Sequence, residues 1–451
     1  MRWWIIGLLG WGLITGTPAL AEPQTTTELL TLESALEIAL LENFPVQNAA
    51  LDVAKAQDGV AIARTARFPM LDLSVSERRN LTSQDYEIEQ GQLGEIPGEG
   101  GAPAIPLPTT NAELPTTSDF TTTLQASASL PLSQQYRIGL EIREQEINQK
   151  LAVERLRAQR QKVADEVKEV YYAILKTKSA IQANAETVLF LKELVVLVDR
   201  YVQERTALEY ESLDVKTRLA EAEHQALTER NRLASRKERL NRLLGRGVET
   251  PFRTVVIPEA PAIRVMPGEA QQTALAQRPE VRAARLGVEH AQYGYRITQS
   301  KYIPKVSLVA SYLVPFNIQF LPDNVATIGV YGKWEFFDWG RKSRELDSKR
   351  ASIHQARNHV RQAEAEVKTE VNSQIRKLEE ATVQVEVAEL SQLAALEKRR
   401  VKLAQYREQA ALLQDVLEAQ AAVADATELF QDAELDVWTA VANLERTLGR
   451  E

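Results

Sequence analysis

Arg67-Phe68-Pro69-Met70-Leu71-Asp72-Leu73 and Tyr302-Ile303-Pro304-Lys305-Val306-Ser307-Leu308 stand 235 positions apart and share one design, a proline followed by alternating apolar and polar residues. A proline closes whatever helix precedes it, and alternation at period two gives a strand one apolar and one polar face. In the first copy Leu71, Leu73 and Val75 alternate with Asp72, Ser74 and Ser76. In the second, Val306, Leu308, Ala310 and Tyr312 alternate with Lys305, Ser307 and Ser311. Each is followed by another such run: Phe120, Leu124, Ala126, Ala128 and Leu130 against Thr121, Thr123, Gln125, Ser127 and Ser129, then Ile328, Val330, Trp334 and Phe336 against Gly329, Tyr331, Lys333 and Glu335. Strands are therefore expected near 70–79, 119–131, 304–314 and 326–338.

The duplication reaches well beyond these runs. Ala39-Leu40-Leu41-Glu42-Asn43-Phe44-Pro45-Val46 is similar to Ala274-Leu275-Ala276-Gln277-Arg278-Pro279-Glu280-Val281, at offsets of 235 and 234. Leu240-Asn241-Arg242-Leu243-Leu244-Gly245-Arg246 is similar to Leu444-Glu445-Arg446-Thr447-Leu448-Gly449-Arg450, but the offset is now 204. The first copy must hold about 31 extra residues, the difference between 235 and 204. Their home is Asn80 to Ser118, where ten glycines and prolines crowd between Gly91 and Pro115 and six acidic residues meet no lysine or arginine. Such composition is expected to form a solvated loop and not a structured domain. The chain thus divides into a first repeat over 22–246, an inter-repeat segment over 247–268 and a second repeat over 269–451.

Glycine and proline together make up 38 of 451 residues, which is low for a folded chain. None falls between Leu140 and Leu244 or between Arg341 and Leu448. Leu140, Ile147, Leu151, Val163, Val167, Val170 and Ile174 keep helical spacing among charges such as Glu141, Arg143 and Lys150, so these stretches read as amphipathic helical hairpins packed side by side. Their turns are expected near Tyr201–Glu211 and Tyr406–Gln414.

Composition closes off other classes. The absence of cysteine excludes disulfides, thiol nucleophiles and Cys-ligated metals. A net charge of −8 lacks the basic footprint of a nucleic-acid binder. His354 and His359 are five apart and His224 and His290 isolated, so no metal-ligand spacing arises, and no catalytic or cofactor motif stands out. Met1-Arg2, the apolar run Trp3 to Ile14 and Ala19-Leu20-Ala21 match a cleavable signal peptide over 1–21, which implies export. No later apolar stretch is long enough to span a bilayer as a helix.

Strands of about ten residues with one apolar face fit either a sheet half-buried on a core or a membrane barrel. An exported chain with no other apolar layer for the sheet to cover favours the barrel. Four strands cannot close one, because about eight are needed and lipid tolerates no open edge, so the strands must be completed by further copies.

These features together resemble the TolC-type outer-membrane efflux proteins over nearly the whole mature chain. The likeness rests on the duplicated helix, strand, strand, helix, helix order, on Pro69 and Pro304, and on Arg278-Pro279-Glu280-Val281. Phe336-Phe337-Asp338-Trp339-Gly340-Arg341, Asp415-Val416-Leu417-Glu418-Ala419 and the terminal Leu448-Gly449-Arg450 complete it. The resemblance implies a mainly α fold with a small β part, in a homotrimer. Its twelve-stranded barrel would sit in outer-membrane lipid of a Gram-negative-type bacterium, continued by a helical tunnel across the periplasm. It also implies a passive duct of a tripartite efflux or type I secretion system, joined by a periplasmic adaptor to an inner-membrane pump, and not an enzyme. The competing class is a periplasmic coiled-coil adaptor or structural protein, which would have no use for two pairs of amphipathic strands.

By the same resemblance Asp415 and Glu418 match an acidic gate at the tunnel tip, their spacing of three putting both on one helix face. Tyr406 matches a tyrosine that helps close the tip, while its basic companion is replaced by Ala411. Where the family commonly carries a Val-Gly pair for adaptor contact, this chain has Glu204-Arg205-Thr206 and Glu408-Gln409-Ala410, so Arg205 and Gln409 become candidate contacts. Arg399 and Arg400, in the basic run Lys398 to Lys402, read as a solvated face or as further adaptor contacts.

Overall fold

The computed structural model describes residues 28–81, 85–98, 103–115, 120–255, 265–318 and 321–450; the expected leader at 1–21 lies outside them. The first repeat runs β1 (Glu28–Leu30), α1 (Leu32–Glu42), α2 (Phe44–Thr65), β2 (Met70–Arg79), short strands β3 (Asp85–Ile88), β4 (Glu95–Ile96), β5 (Ile105–Pro106) and β6 (Ala112–Pro115), β7 (Phe120–Pro131), α3 (Gln135–Gln203) and α4 (Glu209–Leu243). After β8 (Phe252–Thr254), the second runs α5 (Pro267–Gln277), α6 (Pro279–Gln299), β9 (Lys305–Phe316), β10 (Val325–Lys333), α7 (Arg341–Arg407) and α8 (Leu413–Thr447). α3 and α7 have 69 and 67 residues, each about 100 Å long at 1.5 Å per residue. The turns at 204–208 and 408–412 fall inside the windows expected for them.

β10, β9, β7 and β2 form one antiparallel sheet in that order. Its register sorts the alternation into two faces. Leu73 faces Ala126, Ala126 faces Tyr312, and Ala310 faces Ile328 on the apolar face. Asp72 faces Ser127 and Ser127 faces Ser311 on the other, where the Gln125 side-chain amide donates to Ser311 at 3.2 Å. Leu71, Leu73, Val75, Ile328 and Val330 are all exposed, so this face covers no core among the described residues. No helix among the described residues is long and apolar enough to cross a membrane.

Two expectations change. The fourth strand ends at Lys333, not near 338, because its hairpin partner begins at Lys305 directly opposite and leaves Trp334 to Asp338 no ladder within the chain. The described residues of 80–118 carry more structure than a solvated loop: β3 pairs with β6 and β4 with β5. Gly91 and Gly94, at φ of +82° and +105°, turn the chain so that its own backbone groups satisfy one another.

Among the described residues four apolar clusters hold the helices, a small one of Ala395, Val423 and Ala426 and three larger ones. Leu30, Ala35, Val167, Tyr171, Leu240, Leu244 and Phe252 form one, with the Tyr171 hydroxyl donating to the Leu30 carbonyl at 3.0 Å. β1 lies parallel to β8 here, so the N-terminal segment and the inter-repeat one run side by side. Ala274, Val281, Val371, Val441, Leu444 and Leu448 form the second. The third lies at the hairpin ends.

Both repeats dock the end of their last helix onto the junction of their first two. In the first, Asn43 caps α2, Pro45 occupies its first turn where no N–H is needed, and the Asn43 amide donates to the Leu243 carbonyl at 2.8 Å. In the second, Arg278 stands in the matching place with its side chain only 7 % exposed, binding Glu280 and Glu370. Arg446 on α8 donates to Glu370 at 2.8 Å and lies 3.3 Å from Asp165 on α3. Burial alone would raise the Glu370 carboxyl, but the hydrogen bonds and charges of Arg278 and Arg446 outweigh it and hold it below the ordinary carboxylate value. For Asp165 burial wins, and its pKa is raised.

Candidate gate at the hairpin tips

α3 and α7 end alike. Arg205 donates its N–H to the Val202 carbonyl and Thr206 to that of Tyr201; Gln409 donates to Tyr406 and Ala410 to Gln405. These are paired Schellman closures, which need a left-handed residue just past the helix. Arg205 and Gln409 supply it at φ of 60° and 58°, although a glycine would do so without strain. Both are exposed at the very tip.

α4 and α8 also start alike. The Glu211 carboxylate accepts from the Leu208 N–H at 3.0 Å and that of Asp415 from the Leu412 N–H at 3.3 Å, each meeting an unpaired donor at the positive end of its helix. Asp415 is drawn further aside by Lys402, whose ammonium is 3.4 Å away. Glu418 is exposed and accepts from Gln414 at 2.9 Å. The two acids expected to act together are thus separated in use. Asp415 holds the turn, and Glu418 faces a groove of about 660 Å³ between α4 and α8 over α3.

That groove is lined by Glu211 and Asp214 as well. They lie 204 positions before Asp415 and Glu418, and the offset of the Leu-Gly-Arg landmarks is the sequence signal that points to them. Arg218 is the basic residue of the same wall.

Tyr406 lies in the tip cluster with Leu191, Leu194, Val198, Val215, Leu413, Val416 and Leu417, its side chain 7 % exposed. Its ring packs 5.8 Å from that of Tyr201, and its buried hydroxyl has no hydrogen-bond partner among the described residues. Burial, with smaller effects from Glu211 and Tyr201, pushes it up to about 12. Tyr201, not Tyr406, bridges the hairpins, donating to the Arg407 carbonyl at 3.4 Å. Of the basic run, Arg399 donates to Gln420 at 2.9 Å and lies over the Phe190 ring at 5.2 Å, tying α7 to α8 and α3. Arg400 is exposed and pairs with Glu397 at 2.6 Å.

A model of the outer membrane efflux protein family matches residues 35–246 and 270–450. The chain belongs to the outer membrane efflux protein family. The match spans both repeats and skips the segment holding β8. Solved structures agree in fold. The outer membrane protein VceC of Vibrio cholerae is 16 % identical with a TM-score of 0.72, over 93 % of this chain and 96 % of that one. The Campylobacter jejuni CmeC outer membrane channel is 14 % identical with a TM-score of 0.76, over 98 % and 94 %. The Neisseria gonorrhoeae MtrE outer membrane channel, solved in an open state, is 15 % identical with a TM-score of 0.70, over 93 % and 89 %. No curated protein sequence matches the chain. As an outer membrane efflux protein it is a channel component of the Gram-negative outer membrane, its helices extending into the periplasm.

Proposed function

We propose that three copies of this outer membrane efflux protein assemble into a passive export duct, a twelve-stranded barrel continued by a tunnel of α3, α4, α7 and α8. The observation that carries this is the sheet: an exposed apolar face, with no strand paired to the outer edge of β2 or of β10 among the described residues. Lipid admits no open edge, so further copies must complete the sheet, while its Ser, Thr and Gln face lines water. The duct receives cargo from an inner-membrane pump through a periplasmic adaptor, in a tripartite efflux or type I secretion system. A soluble adaptor or rod would not leave such a face uncovered. Membrane fractionation and an unheated denaturing gel test the assembly: a detergent-resistant trimer in the outer membrane is expected, and a soluble periplasmic monomer would refute it.

The hairpin tips form the periplasmic gate of this duct. Glu418, with Asp415 behind it, rings the entrance in three copies and favours cations. Tyr406 holds the tip cluster together, and Arg205, Gln409 and Arg400 present the adaptor contact, with Arg399 fixing the helix beneath them. In planar bilayers the double variant Asp415→Ala, Glu418→Ala is expected to lose cation selectivity and block by multivalent cations. Unchanged selectivity would remove these residues from the gate.

A further inference from the structure

The chain contains a template for the seam between its own copies. β2 and β9 begin 235 positions apart, at Met70 and Lys305. Met70 faces Ser129 in the first hairpin and Lys305 faces Lys333 in the second, so β7 and β10 correspond at 204, the offset that also separates α4 from α8. β7 has a second partner: Ser129 faces Val309 of β9, and Pro131 faces Ser307. Among the described residues β10, its counterpart, lacks one, and so does the outer edge of β2.

Shifting the β7–β9 ladder by the two offsets carries Ser129 to Lys333 and Val309 to Ser74. We propose that β10 of one copy pairs antiparallel with β2 of the next in this register, with Lys333 opposite Ser74, Trp334 opposite Leu73 and Phe336 opposite Leu71. This rests on the trimeric duct proposed above and specifies its joint.

Two observations agree with this register. The first is parity. Trp334 and Phe336 fall on the apolar face beside Leu73 and Leu71, and Lys333 on the polar face beside Ser74; a slip of one residue would turn Lys333 and Glu335 toward lipid. The second is overhang. β7 runs past the start of β2, and its last residues, Leu130 and Pro131, pair only with β9. Their counterparts, Trp334 and Glu335, are the residues left outside the sheet, and Leu73 and Asp72 of the next copy are what they would pair with. Phe336 and Leu71, 82 % and 77 % exposed in the single chain, become lateral neighbours. Glu335 then lies opposite Asp72, a like-charge pair relieved by Arg341 at 2.6 Å from Glu335 and by Lys333 diagonal to Asp72.

The Leu132 N–H donates to the Val306 carbonyl at 2.8 Å, which makes that a hydrogen-bonded pair. Ser129 and Val309, three steps along, are then a non-hydrogen-bonded pair, and so are Lys333 and Ser74. Their Cα atoms would be about 4.5 Å apart, within disulfide reach. Because the chain has no cysteine, the double variant Ser74→Cys, Lys333→Cys can be oxidised in outer membranes with copper phenanthroline and read on boiled, non-reducing gels. A covalent ladder ending at the trimer is expected, absent from either single variant. The pairs slipped by two, Ser74→Cys with Tyr331→Cys and Ser76→Cys with Lys333→Cys, should cross-link at least about tenfold more slowly. The intrachain pair Ser129→Cys, Val309→Cys reports that oxidation works at this geometry. If a slipped pair links faster, or none links while the unheated protein still runs as a trimer, the register is overturned and the duct stands. If none links and the unheated protein is monomeric, the duct itself has failed.

Discussion

Gly245→Ala probes the joint that fixes the end of α4 to the junction of α1 and α2. Gly245 sits at φ +70°, and a methyl group there would lie 2.3 Å from the Glu42 carbonyl oxygen and 2.8 Å from its carbon, against an ordinary contact of 3.4–4 Å. Neither side can yield alone, since Glu42 ends α1 and Asn43, buried, donates to the Leu243 carbonyl at 2.8 Å. The left-handed backbone costs about 1–2 kcal/mol once a Cβ is present. Parting the joint orphans the buried Asn43 bond for about another 1–3 kcal/mol, so a loss of about 2–5 kcal/mol is expected. Gly340→Ala separates the two contributions: φ is +80° but nothing lies within 4 Å, leaving the backbone cost alone. Gly449→Ala falls between, at φ +83° with Gln277 Cβ at 3.0 Å, and Gly329→Ala, with no left-handed backbone and open space, should be silent. Thermal unfolding in detergent, followed by helical circular dichroism, should rank the variants Gly329→Ala, Gly340→Ala, Gly449→Ala, Gly245→Ala from most to least stable. If Gly245→Ala melts with Gly340→Ala, the close approach to Glu42 is not what requires a glycine.

Glu370→Gln leaves Arg278 and Arg446 short of a counter-charge and should cost about 1–3 kcal/mol at neutral pH, allowing for the partial exposure of the carboxylate. Because the Glu370 pKa is held below its unfolded value, its contribution is complete above that value and lost as pH falls through the folded one. Acid unfolding of the wild type should therefore steepen below about pH 4, and the variant should show a shallower acid limb; parallel curves would refute the linkage. Tyr406→Phe removes a hydroxyl with no partner and should be neutral or stabilising by up to about 1 kcal/mol, whereas Tyr406→Ala opens a cavity costing about 3 kcal/mol. A rise in bilayer conductance for the Phe variant equal to that of the Ala variant would show that the hydroxyl closes the tip after all. Asp415→Ala loses a helix cap worth about 1 kcal/mol and should speed amide exchange in the first turn of α8, while Glu418→Ala should not. Equal exchange in both would contradict the division of roles between the two acids.

What could be read from sequence was whatever repeats or alternates. Period two gave the faces of the sheet, and the long breaker-free stretches gave the two hairpins. Turns without glycine were placed only as windows. Arg205 and Gln409 adopt a left-handed backbone at a cost that two closing hydrogen bonds offset, and nothing in their own chemistry announces it. The motif Arg278-Pro279-Glu280-Val281 was visible, but its role depends on Glu370 and Arg446, 92 and 168 positions away, which no local pattern connects. At the tip, spacing of three placed Asp415 and Glu418 on one face; the unpaired Leu412 N–H and the Lys402 ammonium decided instead that only one of them stays free of the turn.

Trp334, Glu335 and Phe336 invert that pattern, since their alternation reads as strand and the folded chain leaves them outside the sheet. Alternation reports which faces a segment must satisfy, and it is indifferent to whether the partner belongs to the same chain. β7 meets this demand internally because β9 follows it in the second repeat. No strand follows β10 among the described residues, so the same demand falls on the first strand of another copy. A duplicated sequence therefore encodes one ladder twice, once as a contact within the chain and once as the joint between chains. An alternating run that continues to 338 while the ladder within the chain stops at Lys333 is what such a joint should look like in a single protomer.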